Sequence, residues 1–248
     1  MRWLLASLVL FFMYGCSGAV NEKLLYGTWI FQHIDGRQVH TNDFFVLSFN
    51  PDGTEMHSCA LYVDSVNVRW FHGENYTYRF QSDTKRDIRI SGTSPLGIPV
   101  ELTLNILKLT KKRLVYFYAE PFFNGTYLSD SRIVTLRRPK SDYSQKILGK
   151  WEFEMEGQLF RIDFLDNRTC HLYVNYGGSW VVAEDSPQPY YIYGDFLGGP
   201  ALKKWDAIQR NHMHHHDNWE ITIRGDEMIM SAYRGIDNVH FEVKAVRK

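Results

Sequence analysis

LLYGTWIFQ (residues 24–32) and ILGKWEFEM (residues 147–155) open the two halves of this 248-residue chain. In each, an apolar pair leads to a Gly, one variable residue and a Trp, and an extended run follows. Short likenesses are cheap, so the weight of this one depends on what comes after it. Within 150–156, Trp151, Phe153 and Met155 alternate with charged residues, the period of a strand with one buried face. Phe45, Leu47 and Phe49 keep that period in the first half, and Phe160, Ile162 and Phe164 keep it in the second. Each run ends in turn chemistry, NPDGT at 50–54 and LDNRT at 165–169. CALYV (59–63) then matches CHLYV (170–174), which sets Cys59 against Cys170 as equivalent buried thiols rather than a disulfide pair. YTYRF (76–80) matches YYIY (190–193), and the hairpin at 104–118 lies against the segment that follows Asn218. Finally SRIVTLRR (131–138) matches FEVKAVRK (241–248), setting Arg137 against Arg247. One unit has been duplicated.

Short strands separated by frequent turn signals predict an all-β chain of two tandem antiparallel units, each a sandwich or barrel. The units run over 24–138 and 147–248, joined by a polar linker at 139–146. Helical spacing occurs once, at ALKKWDAIQRN (201–211), where Leu202, Trp205 and Ile208 fall on one side; a short helix is expected in the second unit. The triplet RGD at 224–226 falls at a hairpin tip by its place in the repeat.

Composition narrows the class of function. Aromatic residues make up 15 % and charged residues 23 % of the chain, a foldable balance. The 28 Lys and Arg equal the 28 Asp and Glu, and no half holds the basic excess that neutralising phosphates requires, so nucleic acid is not an expected partner. Residues 1–15 carry one positive charge and an apolar run too short to span a bilayer, which reads as an export signal. The FMYGCSG stretch that places Cys16 next resembles the lipobox of bacterial lipoproteins. That resemblance implies cleavage before Cys16, acylation of it with a palmitate-type chain, and a lipidated tether over 16–23. It also implies a membrane-anchored protein of the bacterial envelope, expected at the outer membrane facing the periplasm.

In the last strand, Phe241, Val243 and Ala245 form an apolar face, and Arg247 shares its parity. If the sheet closes, that strand runs antiparallel beside the first and brings Arg247 to the indole of Trp151. By the repeat, Arg137 would reach Trp29. The Gly-Thr-Trp at 27–29 and Gly-Lys-Trp at 149–151, each matched by an arginine closing the last strand, resemble lipocalins and the wider calycin group. FNPDGT at 49–54 is similar to the small lipocalin-like domains of bacterial lipoproteins. The resemblance spans both units and implies two tandem β-barrels, each closed at its base by a structural Trp–Arg pair. It also implies a small, partly hydrophobic ligand within. Both units are shorter than a typical secreted lipocalin, which leaves open an interior filled by side chains.

No catalytic set stands out. Glu152, Glu154 and Glu156 lie on a polar strand face, and the His57–Cys59 and His171–Cys170 spacings differ between the copies. His212, His214 and His216 in NHMHHHDNW (211–219) would share one face of an extended segment, yet the run has no counterpart in the first unit and reads as a solvated loop, not a metal site. No cofactor is expected. The 15 Tyr, 16 Phe and 7 Trp exceed the needs of two small cores. They suit an apolar cavity, an exposed platform for carbohydrate or protein, or the filled barrels of an envelope scaffold without a ligand. The leading expectation is a non-catalytic lipoprotein that binds or carries a small, partly hydrophobic molecule.

Overall fold

The computed structural model describes residues 19–38, 45–62, 68–93, 97, 99–119, 131–183, 186–199, 202–206, 211–215, 218–234 and 239–248. Cys16 and the leader before it lie outside the described residues. The first unit comprises β1 (Gly27–Ile34), β2 (Arg37–Gln38), β3 (Phe45–Phe49), β4 (Thr54–Tyr62), β5 (Val68–Phe80), β6 (Asp87–Thr93), β7 (Pro99–Leu109), β8 (Arg113–Ala119) and β9 (Ser131–Arg137). All neighbouring pairs are antiparallel. The ring closes because β1 pairs with β3 through Gly27 to Ile30 and with β9 through Ile30 to Ile34, with an irregularity after Phe31. Strands β1 and β3 to β9 thus make a closed eight-stranded barrel, and β2 extends one end of β1.

The second unit comprises β10 (Gly149–Met155), β11 (Gln158–Phe164), β12 (Thr169–Tyr176), β13 (Ser179–Val182), β14 (Gln188–Pro189), β15 (Tyr191–Ile192), β16 (Phe196–Gly198), β17 (Leu202–Asp206), β18 (Asn211–His215), β19 (Asn218–Arg224), β20 (Glu227–Arg234) and β21 (Val239–Arg247). Its main sheet is a curled half-barrel in the order β13-β12-β11-β10-β21-β20-β19-β16-β15. Where β5 runs unbroken, this unit has only the short pieces β13, β14 and β15, interrupted by Pro187 and Pro189, which cannot donate to a ladder. Strand β14 pairs with β12 and β15 pairs with β16, so Tyr190 between them carries the chain from one sheet edge to the other. The RGD triplet does sit at the tight turn between β19 and β20.

Two sequence expectations are corrected. The segment read as a helix contains β17, paired with β18 from Leu202↔His215 to Asp206↔Asn211, and there is no α-helix among the described residues. A helical period inside one window says nothing of a partner strand; here the partner was the histidine-rich run itself. The backbone of that run is therefore a strand, not a loop, through His215; the side chains of the run, and all of His216, lie outside the described residues.

The second correction concerns Cys59 and Cys170. The turns 50–54 and 165–169 superimpose bond for bond: the residue 50 and 165 amides donate to the Thr54 and Thr169 carbonyls, and Asp52 and Asn167 accept from those threonines. Tyr78 and Tyr190 each donate a phenolic hydrogen bond back to the same turn position, Asn50 O at 2.6 Å and Leu165 O at 2.7 Å. Counting from this anchor, Phe49 faces Glu55 across the hairpin as Phe164 faces Cys170. Glu55, not Cys59, is the counterpart of Cys170. An alternating strand matches itself after any even shift, so CALYV and CHLYV agree as strings while differing in register. Cys170 is a buried free thiol, pushed up to about 12 by its burial.

Each unit has its own core, one built around Trp29, Phe31, Phe49 and Tyr116, the other around Trp151, Phe160, Trp219 and Met230. Tyr193 and Phe196 of the second unit nevertheless pack into the first core. Ile30 and Val46 of β1 and β3, which alternate with the inward Trp29 and Leu47, are buried in the same cluster. At the rim of this contact Arg137 donates to Asp195 at 2.9 Å and to Glu220 at 2.9 and 3.2 Å. Arg137 and Asp195 are both nearly inaccessible, with side chains 6 % and 7 % exposed. Burial alone would lower the Arg137 pKa, but Glu220 and Asp195 outweigh it and hold it above its usual value. Removing one partner of a buried ion pair strands the other charge. Arg137→Ala should therefore cost about 3 kcal/mol in urea unfolding, and adding Asp195→Asn should recover part of it; a cost below about 1 kcal/mol, the size of a surface pair, would contradict this burial.

Candidate functional site

The tryptophans singled out in the sequence close the base of each unit. Trp151 and Arg247 are direct ladder partners, and Cζ of Arg247 lies 4.3 Å from the indole centroid. The guanidinium also donates to the Leu148 and Lys146 carbonyls, and Trp151 Nε1 donates to Ile147 O at 2.6 Å. In the first unit the same part is played by Arg138, whose Cζ is 3.8 Å from the Trp29 centroid and which donates to the Leu24, Tyr26 and Thr28 carbonyls. Trp29 Nε1 donates to Leu25 O at 2.6 Å. The expectation for Arg137 is thus corrected by one residue. Val134 and Leu136 are the buried, inward positions of β9, and only Arg138 continues their parity; Arg137 faces the second unit. The glycine of each Gly-x-Trp has a positive φ, +98° at Gly27 and +105° at Gly149. A Cβ there would come within 2.9 Å of Arg138 Nη1 and 3.2 Å of Arg247 Nη1. The motif is a strand start that must be glycine to admit a guanidinium. Arg138→Ala leaves part-buried carbonyls without their donor and strips the guanidinium from the Trp29 face, and should destabilise the first barrel by about 2 kcal/mol in thermal or urea unfolding, whereas Arg138→Lys, which cannot fork or stack, should recover little of that.

Above this base the first barrel is hollow. A cavity of about 250 Å³ is lined by Phe45, Leu47, Glu55, Tyr76, Ile90 and Tyr116, with three aliphatic residues of β7 and Tyr118. Leu47, Glu55, Tyr76, Ile90 and Tyr116 are buried, whereas Phe45, Val100, Leu102 and Tyr118 are half-buried. Exposure therefore rises toward the end of the barrel opposite Trp29, and Glu55 sits in the deep part. Gly92 shapes the wall: a Cβ there would lie 2.3 Å from the Tyr76 ring, so the missing side chain is what lets that ring lie flat against β6.

Among the described residues, Glu55 is the one charged residue type in this lining. It is 0 % exposed, and neither carboxyl oxygen has a hydrogen-bond partner. Burial raises its pKa from the usual range to about 8, so the first barrel holds a neutral carboxylic acid at pH 7. Tyr116, close by, is pushed well above its usual value by burial first and then by Tyr118 and Glu55. Sequence reasoning passed over Glu55 because the string match assigned its strand position to a different residue. The signal was present: an acidic residue at inward parity after the NPDGT turn, where the second unit has Cys170. The second unit's interior holds Phe153, Met155, Phe160, Trp219, Met228 and Met230, flexible and aromatic side chains that fill space well. Among the described residues no group of three or more His, Cys, Asp or Glu is placed to hold a metal ion.

No protein-family model matches the sequence, and no curated protein is detectably similar to it.

The buried acid ties stability to pH. Glu55 keeps its proton up to about pH 8 when folded but releases it near 4.5 when unfolded. Stability from this group is therefore fully present below 4.5, declines as pH rises, and is lost above about 8. Glu55→Gln cannot ionise, so its stability relative to the native chain should improve by about 5 kcal/mol across that window. Parallel pH profiles for the two chains in urea unfolding would contradict the buried acid.

Proposed function

We propose that this chain is a non-catalytic, exported lipoprotein that carries a small, mostly apolar molecule in its first barrel. The observation that carries this reading is the cavity of about 250 Å³ whose described lining is aliphatic and aromatic apart from the Glu55 carboxyl group in its depth. Ligand sites are concave and mainly apolar, with few polar groups to fix orientation. The eight-stranded closure and the Trp29–Arg138 pair at its base support the likeness to lipocalins drawn from the sequence. Attachment at Cys16, with the protein at the bacterial outer membrane and facing the periplasm, is supported by the apolar leader and the Gly-Cys that ends it. Among the described residues no helix is long and apolar enough to cross a membrane.

The two interiors divide the labour in this reading. The first, hollow, binds; the second, with methionines and aromatics in its core, braces the first through Tyr193, Phe196 and the Arg137 ion cluster. A protein-binding role has one specific observation in its favour, the edge strand β13, where Val181 and Val182 are exposed on the hairpin that also exposes Tyr176. Native mass spectrometry of the chain purified from its own host should reveal a bound small molecule. Leu47→Trp, which fills the cavity, should abolish that mass difference while the protein stays folded. A native chain that carries no adduct and binds no apolar probe would sink the carrier reading and leave the β13 edge as the better lead.

A further inference from the structure

Resting on the carrier reading of the first barrel, we propose that the ligand is a small apolar amine whose protonated nitrogen is held by Glu55. The primary observation is geometric. Both oxygens of Glu55 are buried and unpartnered at the deep side of the cavity they line. Buried polar groups in folded proteins are nearly always hydrogen-bonded, and the exceptions call for an explanation. Here the ligand supplies the missing partner.

The rest of the lining sets the chemistry. No Lys, Arg or His borders the cavity among the described residues. An anionic ligand such as a fatty acid would bring its own charge into the dry space beside Glu55, with no cation among the described lining residues to offset it. An uncharged ligand would be served as well by a glutamine, which carries no ionisation penalty. Only a cation uses what a carboxylate adds, a charge-assisted hydrogen bond strengthened by the low local dielectric. The rings of Tyr76, Tyr116 and Tyr118 line the same space and offer π faces to an ammonium group. Size sets a further limit. A cavity of about 150 Å³ holds benzene, so 250 Å³ accommodates about ten non-hydrogen atoms by the same proportion.

The duplication isolates the residue. At the same register position the second unit carries Cys170, a buried, uncharged thiol. The fold therefore does not need an acid there, and Glu55 is retained at a cost in stability that the sister unit avoids.

Binding the ammonium form requires Glu55 to give up its proton, which passes to solvent as the ion pair forms. Among the described residues, the titratable side chains that line the cavity with it are Tyr76 from β5 and Tyr116 and Tyr118 from β8, and those of β3, β6 and β7 add none; the side chain of His57, two residues along β4, lies outside the described residues. Affinity for an amine should therefore rise with pH up to about 8, where Glu55 ionises unaided, and then level off.

The test is calorimetric titration of the full chain between pH 6 and 9 with three probes of one shape: 4-phenylbutylamine, 4-phenylbutan-1-ol and 4-phenylbutanoate. The amine should bind at least tenfold more tightly than the alcohol at pH 8, and the carboxylate most weakly. Amine affinity should fall at least fivefold from pH 8 to 7 while alcohol affinity stays level. Glu55→Gln should bind amine and alcohol alike, with no pH slope; the native chain's own pH profile carries the test should that variant fold poorly. Binding of the alcohol or carboxylate as tightly as the amine, or an amine preference that survives Glu55→Gln, would overturn the amine assignment and leave the carrier reading standing. If none of the three binds, both fall.

Discussion

Both units hang on one interaction, a guanidinium laid across an indole where the last strand meets the first. Arg138 over Trp29 and Arg247 over Trp151 do three things at once. They join the chain's closing strand to its opening one, they seal the base against water, and they satisfy carbonyls of the segment that leads into the first strand. A planar fork with five donors can do all of this from one position, whereas an ammonium group cannot. Because side chains of the first and last strands make the seal, the interior above it is relieved of that task and was able to change in one copy without undoing the other.

That freedom explains how two units with the same base have such different interiors. In the second, phenylalanines, methionines and Trp219 form the core, and the broken fifth strand is bridged by Tyr190. In the first, an unbroken β5 completes the ring, Gly92 yields space to Tyr76, and a carboxyl group stands where the other copy has a thiol. Burying an acid without a partner is costly. The second unit lays Tyr193 and Phe196 on the hollow one and pins the contact with an ion cluster around Arg137.

Arg137 and Arg138 show how little residue type alone decides. Adjacent and chemically identical, they point to opposite sides of one strand, the first to Asp195 and Glu220 in the neighbouring unit, the second to Trp29 in its own. The repeat was legible because turn residues and the Gly-x-Trp start survive duplication as short strings. Register was less so. Strand patterns repeat every two residues, so an alignment that slips by two or four still looks right, as the cysteine strings did. The slip by one at Arg137 broke parity with Val134 and Leu136, and that break was the available warning.

The sequence by itself determined the all-β class, the duplication, the turns at 50–54 and 165–169, and the tryptophans of the two bases, because these rest on local periodicity and on residues with special backbone preferences. Tertiary structure alone decided that β17 is a strand and not a helix, that the first unit closes by a ladder while the second remains a curled half-barrel, and that Glu55 is buried in a cavity without a hydrogen-bond partner. The reason is common to all three. Each depends on what a segment meets across the fold, and contacts between residues distant in the chain leave no periodic mark on either of them.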